Sequence, residues 1–497
     1  MQKHWHAPLL EHLIQFSQQK PLSLHVPGHR HGEVYGQLTE QLRHTDYEEL
    51  MRYMAKLGAI DVTELSHTDD LHDPETIIKD AQAATAKLYG AERSFFLVGG
   101  STAGNIALIL SLCDTNDYII VQRNVHKSII NSCKLAGANV IFLNPAHEAT
   151  TNLPVIPSID TVQQALVQYP QAKAVFLTNP NYYGISADLS EYVTLVHNYH
   201  MPLLVDEAHG AHYGIAPYAP PSALKAGADA VVQSMHKTLP AFTMGAVLHT
   251  QGQYILKTRL QQQLSIIQSS SPSYVIMASL DAARATLECY GYEWFLQTYT
   301  IVNRLTEWLH SKQLCLRVEQ LDSKSLEYKQ DPYRMLLFDQ SNKVTGYQLQ
   351  KMLEAKMVWA EMANEKYVVL VWHMNATEQQ YEIVQRALLE IHQQISVMVA
   401  SCHTVSTIIN APEVMISNPV KLQRFPSNRK IETIALIEAK GRYSAEMVIP
   451  YPPGIPILFE EEVVQAFHIE NLLQFIHSGA RFQGSTTISE GMIKVFI

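Results

Sequence analysis

The feature that most restricts the fold of this chain is a regular alternation of two kinds of segment, which extends from about residue 77 to residue 248. Short apolar runs, which are typical of strands buried on both faces, alternate with segments of helical periodicity such as 74–88 and 189–199. The apolar runs are SFFLV, DYIIVQ, NVIFLN, AVFLTN, PLLVDE, DAVVQS and AVLHT. Strands that alternate with helices build βαβ units, so the pattern predicts an α/β fold whose mainly parallel sheet is covered by helices on both faces.

The chain of 497 residues is too long for one domain, and its patterns predict four regions. Residues 1–60 are predicted to form an N-terminal arm, in which a helix at 9–18 leads to an extended HVPGHRHG segment. Residues 61–300 are predicted to form a large domain, which a long helix joins to a small α/β domain at 301–400. Residues 401–497, which include the proline-rich VIPYPPGIPILFEEE, are predicted to form a C-terminal domain.

Composition and charge argue against several classes of function. Apolar residues make up 47% of the chain and charged residues 17%, which is typical of a folded protein and not of a disordered one. The net charge of −10 argues against a nucleic-acid partner, because phosphate backbones select basic surfaces. The same charge is compatible with a cationic substrate, although ordinary solubility is the better explanation of it.

The chain shows no sign of a membrane partner or a metal centre. No apolar run is long enough to cross a bilayer, and the N-terminal residues lack the pattern of a secretory signal. The five cysteines are scattered and odd in number, which fits a reducing compartment, so we expect a cytoplasmic protein. Because the 23 histidines show no HExxH pattern and the cysteines no paired spacing, no metal site is predicted.

Polar residues that follow the apolar runs are the first candidates for a functional site, since ligands bind beyond the carboxyl ends of parallel strands. The run SFFLV is followed by GGSTAGN, in which Gly99 and Gly100 permit a tight turn. Ser101 and Thr102 are expected to cap the next helix, and Gly104 to let it pack closely on the sheet. Helix N-termini bind anions, so this turn is a candidate phosphate site, although an ordinary strand-to-helix turn can have the same sequence.

Two further runs end in residues that suit a pyridine cofactor. Asp206 follows the apolar residues PLLV and could keep a pyridine nitrogen protonated, although an aspartate here is often only a helix cap. Lys237 follows the next run, DAVVQS, where desolvation would lower its pKa and make it a nucleophile toward carbonyl groups. Ser234 and His236 flank Lys237 and could reach a phosphate. Together with the glycine turn, these residues predict pyridoxal 5'-phosphate (PLP) as the cofactor.

His126 follows the run DYIIVQ and is expected at the same edge of the sheet. Its ring could stack on the face of the pyridine, because parallel aromatic rings attract one another. A structural histidine, held only by hydrogen bonds, is an equally good interpretation of this position.

These motifs resemble those of the Orn/Lys/Arg decarboxylases, which are PLP enzymes of fold type I. The chain is most similar to the shorter bacterial members, which lack an N-terminal regulatory domain. The shared motifs extend from the arm to the C-terminal region: HVPGHRHG (25–32), DVTEL (61–65), DDLHDP (69–74), FFLVGGSTAGN (95–105), VQRNVHKS (121–128), NPNYYGISADL (179–189), LLVDEAHGAH (203–212), QSMHKTLPAFTMG (233–245), SSSPSYVIMASLDAAR (269–284) and EMVIPYPPGIP (446–456).

The resemblance implies a role for each candidate residue. Lys237 would bind the cofactor covalently, Asp206 would pair with the pyridine nitrogen, and His126 would stack on the ring. Ala208 would pack beneath the ring, and His209 would lie near the phenolic oxygen, where some large members carry a tryptophan. The residues expected to hold the phosphate are Gly100, Ser101, Thr102, Ser234 and His236.

The resemblance also implies an activity, the decarboxylation of arginine, lysine or ornithine to an amine that feeds polyamine metabolism. Lys237 or His236 would return a proton to the substrate. The SSSPSY segment approaches a neighbouring subunit in this family, so a homodimer or higher homo-oligomer is expected. Glu64 and the segment 438–446 are candidates to bind the substrate side chain.

Two alternatives remain open at this point. An aminotransferase or lyase would share the cofactor residues, because the bond that breaks depends on how the substrate is oriented. A regulatory paralogue without activity would usually lack the lysine or the aspartate, and this chain has both.

Overall fold

A computed structural model describes residues 4–321, 327–398, 415–422, 429–451, 454–477 and 479–497. The predicted boundary between residues 400 and 401 lies outside these ranges, as do residues 452 and 453 of the proline-rich segment. The helices are α1 (Pro8–Gln18), α2 (Glu33–Gln41), α3 (Glu48–Gly58), α4 (Ile77–Tyr89), α5 (Gly100–Leu112), α6 (Lys127–Ala136), α7 (Ile159–Gln168), α8 (Ser190–Asn198), α9 (Ala223–Ala226), α10 (Met235–Thr238), α11 (Lys257–Ile267), α12 (Tyr274–Ser311), α13 (Gly346–Glu354), α14 (Glu378–Val397) and α15 (Ala466–His477).

The strands are β1 (Arg93–Leu97), β2 (Tyr118–Gln122), β3 (Asn139–Leu143), β4 (Val175–Thr178), β5 (Ile185–Ala187), β6 (Leu203–Asp206), β7 (Ala230–Gln233), β8 (Ala246–Thr250), β9 (Leu316–Val318), β10 (Tyr328–Gln330), β11 (Arg334–Asp339), β12 (Met362–Ala363), β13 (Val368–Val371), β14 (Val420–Lys421), β15 (Ile431–Ala435), β16 (Ile449–Tyr451), β17 (Arg481–Gln483) and β18 (Met492–Phe496).

The central sheet, as far as the chain is described, has eight strands in the order β1-β8-β7-β6-β4-β2-β3-β14. Strands β7, β6, β4, β2 and β3 run parallel, whereas β8, β1 and β14 join by antiparallel pairing. Each of the seven apolar runs contains one strand of this sheet. The predicted α/β fold with a mainly parallel sheet is therefore confirmed.

Helices cover both faces of this sheet, and the side chains of each strand alternate between two hydrophobic cores. In β2, Ile119 and Val121 belong to the core beneath α5, α6 and α11, while Ile120 belongs to the core beneath α7, α8 and α12. Helix α5 lies especially close to the sheet, because a Cβ at Gly104 would come within 2.7 Å of Leu97 Cδ1. This confirms the role predicted for Gly104.

The N-terminal arm is more helical than predicted. The HVPGHRHG segment is not extended, because Arg30, His31 and Gly32 all have positive φ values of 53°, 52° and 83° and reverse the chain into α2. Helices α2 and α3, which follow it, were not predicted from the sequence. A hydrogen bond connects α1 to α12: the Leu9 N–H donates to Asp281 Oδ2 at 2.9 Å.

A second, smaller sheet follows α12, and in the described ranges its order is β12-β13-β11-β9. Helices α13 and α14 pack on this sheet. Strand β10 pairs with β5, which lies within the large α/β region, and this pairing brings the start of β11 to the carboxyl edge of the central sheet. The C-terminal residues pair as β15 with β18 and β16 with β17.

None of the helices in the described ranges combines the length and the apolar character that crossing a bilayer requires.

Candidate active site

Strand pairing brings the side chains of Asp206, Thr178 and Ser234 together at the carboxyl edge of the central sheet. Asp206, the last residue of β6, is 3% exposed and pairs directly with Thr178 on β4 and Val232 on β7. Directly paired residues of parallel strands point to the same face, so Thr178 lies beside Asp206. Ser234, two residues beyond Val232, continues the same face.

The hydroxyls of Thr178 and Ser234 are buried and have no hydrogen-bond partner among the described residues. A buried polar atom without a partner costs about 1–3 kcal/mol. A polar ligand between these strands would remove that cost, which is one reason to regard this edge as a binding site.

Asp206 is held in one orientation by two donors. The Ala208 N–H donates to its Oδ1 at 3.1 Å, and Asn105 Nδ2 donates to its Oδ2 at 3.1 Å. Asn105 is fully buried on α5 and also donates to Ser128 Oγ at 3.0 Å. Sequence reasoning missed Asn105, although a buried amide inside the apolar helix GSTAGNIALIL was a signal that could have identified it.

Lys237 lies on the short helix α10, which directly follows β7. Its Nζ atom is 3.0 Å from His209 Nε2. Burial lowers the pKa of Lys237, the Asp206 and Glu361 carboxylates raise it, and the Arg334 guanidinium lowers it, with a net shift downward. A lysine with a lowered pKa is more often neutral and therefore more nucleophilic, as predicted for this residue.

His209 makes contacts at both ring nitrogens. Besides Lys237, it accepts a hydrogen bond at Nδ1 from Arg334 Nη2 at 2.7 Å, and its ring centroid is 4.9 Å from that of Tyr182. Burial, followed by the charges of Lys237 and Arg334, holds the pKa of His209 well below its ordinary value. His209 is therefore neutral at physiological pH.

His126 begins helix α6, and its side chain caps that helix by accepting from the Ser128 N–H at 3.2 Å. Because Ser128 also binds Asn105, hydrogen bonds connect His126 to Asp206. Burial lowers the pKa of His126, the Asp206 charge raises it and the Lys237 charge lowers it, with a net shift downward. The structure thus brings His126, Asp206 and Lys237 into one electrostatic group.

The glycine turn after β1 has the predicted form, but its capping differs from the prediction. Helix α5 already begins at Gly100, and no described side chain caps it, so the prediction that Ser101 and Thr102 cap the helix is wrong. The physical reason is that the Met244 carbonyl takes the Gly100 N–H at 2.9 Å, which starts the helix before these two residues. Ser101 and Thr102 lie in the first turn instead, beside a helix N-terminus that remains suited to an anion.

The loop at Met244 also places His236 near this turn. His236 Nδ1 donates to the Gly245 carbonyl at 3.0 Å, and Gly245 follows the residue that binds Gly100. Above Gly100, which has φ +73°, the nearest heavy atom to an added Cβ would be 4.0 Å away. The turn therefore leaves space above Gly100.

Arg334 and Glu361 are functional candidates that sequence reasoning missed. Both belong to the smaller sheet region, where Arg334 begins β11 and Glu361 directly precedes β12. Arg334 lowers the pKa of Lys237 and Glu361 raises it. They reach the site only because two sheets pack together, so a single sequence contains no local signal for them.

The residues present fit PLP. An amine of lowered pKa for its aldehyde, a carboxylate for its pyridine nitrogen and a helix N-terminus without a side-chain cap for its phosphate lie along one edge. Two buried hydroxyls without partners among the described residues lie there as well. No described group at this edge conflicts with that ligand.

Comparison with known proteins shows which family the chain resembles over its whole length. The profile of the Orn/Lys/Arg decarboxylase major domain matches residues 7–382, and that of the Orn/Lys/Arg decarboxylase C-terminal domain matches residues 404–494. The chain is 38% identical to the uncharacterized protein YaaO of Bacillus subtilis, over 99% of this chain and 98% of that protein. It is 31% identical to the arginine decarboxylase of Bacillus subtilis, over 98% of this chain and 97% of that enzyme.

Among solved structures, the lysine decarboxylase LdcF of Francisella novicida superposes with a TM-score of 0.79 at 18% identity, covering 99% of this chain and 81% of that chain. The fold is that of the fold type I PLP enzymes, and PLP is the cofactor of the family. These matches extend over nearly the whole sequence, and we conclude that the chain belongs to the Orn/Lys/Arg decarboxylase family.

Proposed function

We propose that this protein is a PLP-dependent decarboxylase that converts a basic amino acid to the corresponding amine and CO₂. The observation that carries the proposal is the Lys237 amine, whose pKa is lowered by burial and which contacts His209 at the same sheet edge as Asp206. Arginine is the first substrate to test, because the relative that is 31% identical over almost the whole chain is named arginine decarboxylase. Lysine and ornithine are the other candidates, and the amine product would enter polyamine metabolism.

Each residue of the edge has a proposed part in the reaction. When bound, PLP supplies an electron sink for the electron pair of the broken Cα–carboxylate bond. Lys237 would hold the cofactor covalently, Asp206 would keep a proton on its pyridine nitrogen, and His126 and Ala208 would pack against its ring. His209 lies at its phenolic oxygen, and the phosphate is held by Gly100, Ser101, Thr102, Ser234 and His236.

After CO₂ leaves, a proton must reach the substrate Cα. Lys237 is proposed as its donor, with His236 as the alternative. Asp206 contributes by stabilising the charge that develops on the ring, an electrostatic effect that is often worth several kcal/mol.

Glu361 is the residue that we propose to bind the distal cation of the substrate. Its side chain is exposed next to β12, and its charge raises the pKa of both Lys237 and His236. The candidates from the sequence have other contacts, since Glu64 accepts from Thr63 and Glu446 accepts from the Lys494 N–H. Carboxylates form strong charge-assisted hydrogen bonds with ammonium and guanidinium groups.

The proposal is tested by incubating the purified, PLP-loaded protein with arginine, lysine and ornithine separately, and measuring both CO₂ and amine. Release of CO₂ in equal amount to the amine, and its loss in Lys237→Ala, is the expected result. Formation of a keto acid without CO₂ would instead identify an aminotransferase. Tight PLP binding without any turnover would identify a regulatory paralogue.

A further inference from the structure

A buried chain of three side chains connects the smaller sheet region to Lys237. Arg334 Nη2 is 2.7 Å from His209 Nδ1, and His209 Nε2 is 3.0 Å from Lys237 Nζ. Arg334 is 3% exposed and His209 5%, so water does not compete strongly for these bonds.

The position of the proton in this chain follows from the chemistry of its members. An arginine side chain only donates hydrogen bonds, so His209 Nδ1 must accept. Because His209 is neutral, its single ring proton is then on Nε2, the nitrogen that faces Lys237. An N–H directed at Lys237 Nζ needs a lone pair there, and an ammonium group has none. The arrangement is therefore compatible only with the neutral amine of Lys237.

We propose that Arg334 is a positioning residue, which acts through His209 to fix the proton on Nε2 and so to select the neutral amine of Lys237. This proposal rests on the proposed role of Lys237. The neutral amine is the form that adds to the aldehyde of PLP. In that step a C=N bond replaces the C=O bond, and the oxygen leaves as water with the two amine protons.

The structure holds Arg334 firmly in the position that this role requires. Its Nη1 donates to the Tyr182 carbonyl at 3.3 Å, and the Asp331 carboxylate is 3.8 Å from its Nε. Gly184 makes room for the side chain, since a Cβ there would be 2.6 Å from Arg334 Cδ. Gly184 and Tyr182 both belong to the NPNYYG motif, which had no assigned role in the sequence.

Other charges also act on Lys237 and must be kept constant in any test. Asp206 on β6 and Glu361 beside β12 raise its pKa, while Arg334 on β11 lowers it. The remaining titratable groups that act on His209 are His126 and His236. The variants used to test the proposal leave Asp206, Glu361, His126 and His236 unchanged.

The first measurement titrates Lys237 itself in the cofactor-free protein. Acetylation by acetic anhydride, followed by peptide mass spectrometry, gives the fraction of neutral amine at each pH. In Arg334→Met the midpoint for Lys237 should rise by one pH unit or more, which lowers the labelling rate below the midpoint by about tenfold. The rate at which visible absorbance of covalently bound PLP appears should fall in parallel. Arg317→Met is the control, because Arg317 lies on β9 and donates to the Leu309 and Leu316 carbonyls.

A double-mutant comparison separates action through His209 from the direct effect of a positive charge. In a His209→Leu background, Arg334→Met should change the Lys237 midpoint little, because the relay is already absent. An equal shift in both backgrounds would overturn the proposal. Arg334→Lys, which retains a cationic donor, should restore most of the labelling rate.

A measurement on the unaltered protein covers the case in which Arg334→Met does not fold. Nitrogen-15 NMR of the histidine rings should show His209 as the neutral tautomer with its proton on Nε2. A proton on Nδ1, or a charged ring at neutral pH, would overturn the proposal. Neither this result nor the labelling depends on turnover, so failure here is distinct from failure of the proposed decarboxylation.

Discussion

Lys237 is surrounded by charges that act on it in opposite directions. Burial and the Arg334 guanidinium lower its pKa, whereas the Asp206 and Glu361 carboxylates raise it. The net shift is downward, so the amine is available as a nucleophile without being separated from the acidic residues that a cationic substrate needs. Single substitutions at these positions should therefore have distinct effects on substrate binding and on nucleophilicity.

Glu361→Gln tests the residue proposed to recognise the substrate side chain. Replacing the carboxylate by an amide of the same shape should raise KM for the basic amino acid by about tenfold or more, because hydrogen bonds to charged groups contribute roughly 1.5–3 kcal/mol. Steady-state kinetics with the preferred substrate measure this effect. Glu382→Gln, an exposed change on α14, is the control. Equal KM values in the two variants would show that another carboxylate meets the substrate.

At the scale of elements, the pairing of β5 with β10 is what joins the smaller sheet region to the catalytic edge. The turn before β5 contains Gly184, which combines φ +82° with close contact to Arg334. Gly184→Ala should lower stability by more than the roughly 1–3 kcal/mol expected for a strained backbone alone, since Arg334 must also move.

The matched control for this substitution is Gly90→Ala. Gly90 has a similar φ of +74°, and an added Cβ there would meet no atom within 4 Å. Thermal unfolding of both variants separates the backbone strain from the contact with Arg334. Equal losses of Tm would contradict the importance of that contact.

Glu207 follows β6 directly, and its fully buried carboxyl holds this segment by two hydrogen bonds. It accepts from the Ala223 N–H and from Gln233 Nε2, both at 2.7 Å. Burial raises the pKa of Glu207 from 4.5 to about 8. Between pH 4.5 and about 8, the folded protein therefore keeps the proton on the Glu207 carboxyl, whereas the unfolded chain loses it. The resulting stabilisation is complete below pH 4.5 and is lost as the pH rises to about 8.

Glu207→Gln removes this titration, so the dependence of Tm on pH between about 5 and 8 should be weaker in the variant than in the wild type. Thermal unfolding monitored by circular dichroism across this range measures the difference. Glu293→Gln, an exposed change on α12, should follow the wild-type curve. Parallel curves for Glu207→Gln and the wild type would contradict the assigned pKa.

At the scale of the whole molecule, the arm exposes an apolar face that a single subunit leaves uncovered. Leu22, Leu24 and Val26 are 79%, 88% and 67% exposed and alternate along the chain. We expect a second subunit to cover this face in a homodimer or higher homo-oligomer. Leu24→Asp should shift the protein toward smaller species in sedimentation, whereas Val167→Asp, at an isolated exposed position on α7, should not. A monomeric wild-type protein would contradict this expectation.

The sequence predicted what is local and missed what depends on packing between distant segments. Lys237 and Asp206 could be identified because Asp206 ends an apolar strand and Lys237 lies four residues beyond the end of the next one in the chain, and strand pairing then brings them together. Arg334 and Glu361 come from another sheet, and their contacts arise only in three dimensions. Helix α2 of the arm escaped prediction because it contains Gly36, which has a low helix propensity, and begins directly after Gly32.

The central claim is that Lys237 is the residue that holds PLP at the carboxyl edge of the sheet. Borohydride reduction of the PLP-loaded protein, followed by digestion and mass spectrometry, shows directly which lysine carries the cofactor. We predict a single pyridoxyl group on the peptide that contains Lys237, and none in the cofactor-loaded Lys237→Ala variant. A pyridoxyl group on a different lysine, in a preparation that releases CO₂ from a basic amino acid, would contradict the account.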